Sequence, residues 1–363
     1  MIKKVSLLQN KIVCEVGQVT RPAEFNQCVA FCVDNKYLPF ALFVCNQILS
    51  IETQRRFDLC VCLPDLQRVP KSFLDSAIRF IEMNIKGGEQ LPVDHLSLSA
   101  YARLFLPNIF SEEYDLITYL DADIYINLPF YQALTKVVAK FDPSFCVAAA
   151  PDITEINLRI KRKKALTPLV QSYLDFYHDK GHLYRNSGVL VFNVKNYVKN
   201  SIASRVFEVA FNPSSNLRCH DQSALNIALA GEMPILPFEF NWQLHDNTYR
   251  LIDNHQPFII HFIGANKPWV RDDALTYSYR ASYRDYLKNY FPDISFNPQT
   301  PAQLRKRYPK HKNDKKENLS VRLATLSAPI TAVIKSGKYF IIKNKRIIHA
   351  IADVNNDGTN RKF

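Results

Sequence analysis

The chain has 363 residues, 47% hydrophobic and 12% aromatic, enough to close a sizeable core over one large domain with an appendage. Its formal charge of +12 is uneven: basic residues exceed acidic ones by 1 over positions 1–300 and by 11 over 301–363. A near-neutral body without a regular nucleic-acid-binding motif excludes a nucleic-acid-binding protein, and eight cysteines without a Cys-x-x-Cys pair exclude a zinc framework or redox motif in favour of reduced, buried thiols.

In chain order, Met1 to Gly17 carries Lys3 and Lys4, but its apolar stretch is broken by Gln9-Asn10-Lys11, so no signal-peptide core forms. Residues 1–27 read as an N-terminal extension. Cys28 to Val33 (CVAFCV) is a short apolar run ending at Asp34-Asn35-Lys36, and Tyr37 to Ile51 has the length of a helix. That segment contains Pro39, Asn46 and Gln47, and no apolar run reaches the roughly 18 to 20 residues needed to span a bilayer. A cytoplasmic protein is expected. Phe57 to Leu63 (FDLCVCL) is a second strand-like run, and Ser99 to Leu106 leads through Pro107 toward a third at Tyr114 to Leu120. Phe145 to Ala150, Gly188 to Asn193 and Ile259 to Ile263 follow, with a short helix at Gln222 to Ala230. Short apolar runs alternating with helical lengths predict an α/β sheet with crossover helices. Asp34, Asp121, Asp152 and His261 stand at the ends of these runs, where open α/β sheets bind ligands. A break near Asn297 to Pro301 divides a catalytic body, 28–297, from a basic tail, 298–363.

The segment Ile117 to Ile126 (ITYLDADIYI) sets two carboxylates in an apolar run. On an extended strand Asp121 and Asp123 face one side and the small Ala122 the other. Close carboxylates repel unless a cation lies between them, and hard oxygen donors call for Mg²⁺ or Mn²⁺. Two alternatives stand beside this reading. The pair could cap a strand end, or Asp121 could be the nucleophile of a phosphohydrolase of the haloacid dehalogenase type. The latter needs a Gly-Asp-x-x-x-Asp string, whereas the chain offers only a reversed Asp357-Gly358 in the tail.

Further motifs keep company with this pair: YRNSGVLVFNVKNY (Tyr184 to Tyr197), HDQSALN (His220 to Asn226), HFIGANKPW (His261 to Trp269), FCVDNKYL (Phe31 to Leu38) and AYARLFLP (Ala100 to Pro107). In this order they resemble the family 8 retaining glycosyltransferases, which include bacterial lipopolysaccharide glucosyl- and galactosyltransferases and glycogenin. The resemblance runs from about Val29 to Trp269. It implies a GT-A fold, a Rossmann-like mixed sheet flanked by helices, here with a basic C-terminal extension. It implies a metal-dependent hexosyltransferase taking UDP-glucose or UDP-galactose to a glycan or glycolipid acceptor such as a lipopolysaccharide core.

Residue by residue, the resemblance makes Asp121, Asp123 and His261 the ligands of Mn²⁺ (or Mg²⁺), the imidazole favouring Mn²⁺. Ala122 belongs to the same nucleotide-sugar stretch. Asp34 and Tyr37 would meet the nucleoside, although relatives often carry two acidic residues where this chain has Asp34-Asn35. Arg103 would reach the donor's phosphate or sugar, or else form an ion pair. Gly264 and Lys267 would approach the diphosphate. Asp152, Asn186, Asp221 and Gln222 would read the sugar hydroxyls, with Gln222 beneath the anomeric carbon. A neutral amide there implies front-face attack, while Asp152 or Asp221 as a covalent nucleophile stays open. The acceptor is expected near Ile156 to Pro168, which carries Arg159, Lys161, Arg162, Lys163 and Lys164. The tail, with basic clusters in Arg305 to Lys316 and Lys335 to Arg346, is expected to hold the enzyme peripherally on the anionic inner face of the cytoplasmic membrane. On this reading, removing 301–363 frees the protein from membranes and spares donor hydrolysis.

Overall fold

In the computed structural model, residues 3–91, 98–160, 182–215, 217, 219–307 and 344–356 are described. The apolar run at Cys28 becomes β3 (Gln27–Cys32) and the next becomes β4 (Asp58–Leu63). They lie at the centre of an eight-stranded sheet ordered β1-β2-β5-β4-β3-β6-β9-β8. The other members are β1 (Lys3–Leu7), β2 (Ile12–Val19), β5 (Ile78–Gly87), β6 (Leu116–Leu120), β8 (Val147–Pro151) and β9 (Arg185–Asn193). The central four strands, β5, β4, β3 and β6, are parallel, and the pairings outside them are antiparallel. The sheet is therefore mixed. The N-terminal residues set apart by sequence supply its first edge through the β1–β2 hairpin.

Strand periodicity builds a core on each face. Val29 and Phe31 of β3, with Leu59, Val61 and Leu63 of β4, meet the helix Leu38–Ile51 and the helix Tyr277–Tyr290 on one side. Cys28, Ala30, Cys32, Cys60 and Cys62 face the other, where the helices Ile202–Ala210 and His220–Ala228 lie. Six of the eight free cysteines are buried, as their apolar contexts require.

The carboxylate segment departs from its sequence reading. It is two strands, not one: β6 ends at Leu120, and β7 (Ile124–Ile126) joins a second sheet ordered β10-β11-β7, with β10 (Trp242–Gln243) and β11 (Ile259–His261). Asp121 to Asp123 form the bend between the two sheets.

The C-terminal tail is not wholly an appendage. Positions 344–356 are helical, and Ile347, Ala350, Ile351 and Val354, spaced as one helical stripe, are buried against Ile153, Ile156, Phe238, Trp242 and Leu251. The Asn355 side chain accepts from the Phe238 N–H (3.0 Å) and donates to Glu239 (3.3 Å). Most of the basic residues assigned to membrane binding, at 308–343, lie outside the described residues, as do 161–168 of the expected acceptor segment. Among the described residues no helix is long and apolar enough to cross a membrane. Removing 301–363 would strip the cover from Trp242 and Ile153, so the expectation that such a deletion spares catalysis is revised. Ile351→Ala should cost about 2–5 kcal/mol, read as a lower urea midpoint. An unchanged midpoint would mean that this helix does not dock in solution.

Candidate active site

The bend after β6 is fixed from both sides. The Asp121 N–H bonds to the Gly188 carbonyl of β9 (2.8 Å), and the Asp123 carbonyl accepts from the Phe262 N–H just past β11 (2.9 Å). Ala122, buried, plugs the core between them. The side chains converge on His261: Nε2 lies 3.8 Å from Asp121 Oδ2 and 3.4 Å from Asp123 Oδ1, and one donor atom from each residue falls within 4.8 Å of the others. Two carboxylates and an imidazole form a donor set suited to a divalent cation.

Positive charge already surrounds the pair. Lys267, whose side chain is 12% exposed and so no surface lysine, donates to the Asp123 carboxylate and to the Phe262 carbonyl (3.1 Å). Burial alone would raise the Asp123 pKa, but the Lys267 ammonium and His261 outweigh it and hold the carboxyl well below its usual range. Asp121 Oδ1 accepts from Tyr119 Oη (2.6 Å) and pairs with Arg103 Nη1 (3.0 Å). Arg103 is buried over the Tyr119 ring, bonds the Ser187 carbonyl (2.9 Å), and sets Nε 3.4 Å from Asp221 Oδ2. Its charge is thus committed to two carboxylates of the protein, the ion-pair reading of this residue. Burial pushes the Asp221 carboxyl above its ordinary pKa, with Arg103 opposing.

Beside this cluster, Gln222, on the helix His220–Ala228, accepts from the Ser187 N–H through Oε1 (3.0 Å) and donates through Nε2 to Asp152 Oδ2 (3.2 Å). Asn186 Nδ2 donates to the same Asp152 oxygen (3.0 Å). Asp152, Asn186 and Gln222 are therefore one bonded group. Asp34 stands off it: its Oδ1 accepts the N–H groups of Lys36 (3.1 Å) and Tyr37 (3.0 Å), closing the turn into the helix Leu38–Ile51. Burial raises the pKa of the Tyr37 hydroxyl, with Lys267 opposing and Asp123 adding to the rise. Gly264 adopts φ +56° in the exposed loop after β11 with nothing within 4 Å of where a Cβ would stand, so backbone conformation rather than crowding favours glycine there.

Sequence reasoning missed four participants. Tyr119 and Ser187 hold Asp121 and Gln222. Gly188 has no room for a side chain, since a Cβ would stand 2.3 Å from His261 Cε1 and 3.0 Å from Asn186 Oδ1. Asn241, fully buried, bonds His261 Nδ1 (2.9 Å). The available signal was the pair of amides, Asn241 and Gln243, in the largely apolar run FEFNWQL, because a buried amide needs a partner.

A mixed sheet whose central strand ends in paired carboxylates, opposed by a histidine and a lysine, defines a GT-A glycosyltransferase architecture. The family model for glycosyl transferase family 8 matches residues 28–273, and the chain belongs to that family. It is 23% identical over 336 residues to lipopolysaccharide 1,2-glucosyltransferase of Escherichia coli, covering 87% of this chain and 91% of that protein. It is 26% identical over 181 residues to lipopolysaccharide 1,3-galactosyltransferase of Salmonella typhimurium, covering 47% and 49%. Among solved structures it resembles galactosyltransferase LgtC in complex with donor and acceptor sugar analogs, with TM-score 0.51 and 18% identity over 72% of this chain and 96% of that one. The phosphohydrolase alternative finds no support in this assignment.

A carboxyl whose folded pKa is raised destabilises the fold as pH climbs through and above the ordinary carboxylate range. Asp221→Asn should therefore melt at a higher temperature than the parent at pH 7, the gain shrinking as pH falls toward that range. A loss at pH 7 would show that the Arg103 pairing outweighs burial.

Proposed function

We propose that this chain is a retaining hexosyltransferase that moves glucose or galactose from a UDP-sugar, with α stereochemistry, to a lipopolysaccharide core or related surface glycan. The observation that carries it is the adjacency of the Asp121–Asp123–His261 donor set, able to hold a cation, to the Asp152–Asn186–Gln222 group. Mn²⁺, better matched than Mg²⁺ to an imidazole ligand, would supply the charge that stabilises the departing diphosphate. Lys267, now on Asp123, is placed to add its ammonium to the same anion. Tyr37 and Asp34 would line the nucleoside side and Gly264 the diphosphate loop.

On the sugar side Asp152 and Asn186 would bind hydroxyls. The Gln222 amide, oriented by Ser187 and Asp152, would face the anomeric carbon. In front-face attack the acceptor oxygen bonds to that carbon on the side from which UDP leaves, the carbon–oxygen bond to UDP breaks, and the acceptor proton passes to the released phosphate oxygen. Two features favour this over a covalent intermediate: Asp152 Oδ2 already accepts from two amides, and Asp221 is buried against Arg103. The lipopolysaccharide acceptor draws support from the two bacterial relatives.

Chelation should abolish UDP-sugar hydrolysis, as should Asp121→Ala, Asp123→Ala or His261→Ala in folded protein. Gln222→Ala should slow transfer without ending it. Undiminished turnover after chelation would remove the metal assignment, and a β-linked product by NMR would remove the retaining reading.

The body over 28–297 would be the catalytic domain, and the basic tail would attach it to the inner face of the membrane at ~1 kcal/mol per cation near the surface. Because positions 344–356 also pack on the body, the test is charge removal rather than deletion. Changing the basic residues of 305–316 to glutamine should release the protein from anionic liposomes at moderate salt. Retention equal to that of the parent would refute the anchor.

A further inference from the structure

We infer that Asn241 is a positioning residue that dictates which nitrogen of His261 carries its proton and ties the cation site to the sugar-binding amides. The inference rests on the Asp121–Asp123–His261 set being the cation site proposed above.

The argument is one of donors and acceptors. Asn186 Oδ1 receives the Gly188 N–H (3.0 Å), a group that can only donate. Asn186 Nδ2 gives to the Asp152 carboxylate (3.0 Å), which at neutral pH can only accept. The orientation of the Asn186 amide is thereby fixed. Asn241 approaches the same Asn186 oxygen at 2.9 Å and must present Nδ2 to it. The other end of Asn241 is then Oδ1, which faces His261 Nδ1 at 2.9 Å and can only accept. Nδ1 therefore bears the proton. In the neutral ring Nε2 is left with its lone pair pointing toward Asp121 and Asp123, the arrangement that ligates a metal.

The surroundings leave little freedom to escape this assignment. Asn241 is fully buried, Asn186 is 7% exposed and His261 5% exposed. Its backbone is held as well, by an N–H bond to the Phe238 carbonyl (3.0 Å) and by the Trp242↔Ile260 and Gln243↔His261 pairing of β10 with β11. The bonded line thus runs donor to acceptor from His261 through Asn241 and Asn186 to the Asp152 carboxylate, which Gln222 meets from the other side as a second donor.

Two variants separate the two halves of this role. In Asn241→Leu, His261 loses its acceptor, and Mn²⁺ affinity without nucleotide, read by electron paramagnetic resonance, should fall about 10–100-fold. In Asn241→Asp the carboxylate still accepts from Nδ1, so Mn²⁺ affinity should stay within about threefold. It can no longer donate to Asn186, so KM for the UDP-sugar should rise about tenfold while inhibition by UDP is unchanged. Long-range proton–nitrogen NMR of the metal-free parent, with His261→Ala to assign the signal, should show His261 protonated at Nδ1, and in the leucine variant this preference should be lost. A parent His261 without a proton on Nδ1, or a leucine variant binding Mn²⁺ as tightly as the parent, would overturn the inference. If the leucine variant does not fold, an unaltered donor KM in the aspartate variant would overturn it. A parent that binds no Mn²⁺ removes the cation reading instead, and the tautomer of His261 still decides the role of Asn241.

Discussion

Two carboxylates held at the seam between two sheets are the constraint around which this molecule is arranged. At an effective dielectric of about 20, like charges about 4 Å apart repel by roughly 4 kcal/mol. Asp121 and Asp123 cannot relieve that by moving, because their backbones are pinned to β9 and to the segment after β11. Compensation must come to them. Arg103 and Tyr119 serve Asp121 from the main sheet and its flanking segment, and Lys267 serves Asp123 from the loop beyond the second sheet.

The division of labour has a functional reading. Arg103 is buried and bonded to Ser187 and Asp221 as well, so it is a permanent counter-charge. Lys267 reaches Asp123 from a loop and, among the described residues, otherwise donates to the Phe262 carbonyl, so it is less deeply tied into the fold than Arg103. If Lys267 meets the donor's diphosphate as proposed, the charge that preserves the fold and the one that meets the ligand are different groups, and folding and binding do not compete for one cation.

Much of this was legible in the sequence, for identifiable reasons. β3 and β4 are buried on both faces and read as continuous apolar runs, and the motifs near Asp121, Asn186, Gln222 and His261 occur in one order. β5 escaped notice because its run is broken by Arg79, whose charge is buried beside Tyr114 and Glu113. The single strand read through Asp121 and Asp123 failed because a period of two says nothing about a chain changing sheets. The ion-pair alternative for Arg103 was legible, but its engagement with two of the protein's own carboxylates depends on distant parts of the chain. Asn241 was hidden for the same reason, as its partners lie 20 and 55 positions away. The apolar stripe at 347–354 was outweighed by the charge around it.

That stripe has a consequence for how the protein is made. Ile153 directly follows Asp152, and its apolar surroundings are completed by a helix that begins at position 344. The helix that covers Ile153 and Trp242 leaves the ribosome only after every strand of both sheets. Until then a nascent chain holds the site's motifs with that face open to water. Interrupted translation would release a product that carries the whole family signature yet presents a sticky, unfinished flank to chaperones and proteases.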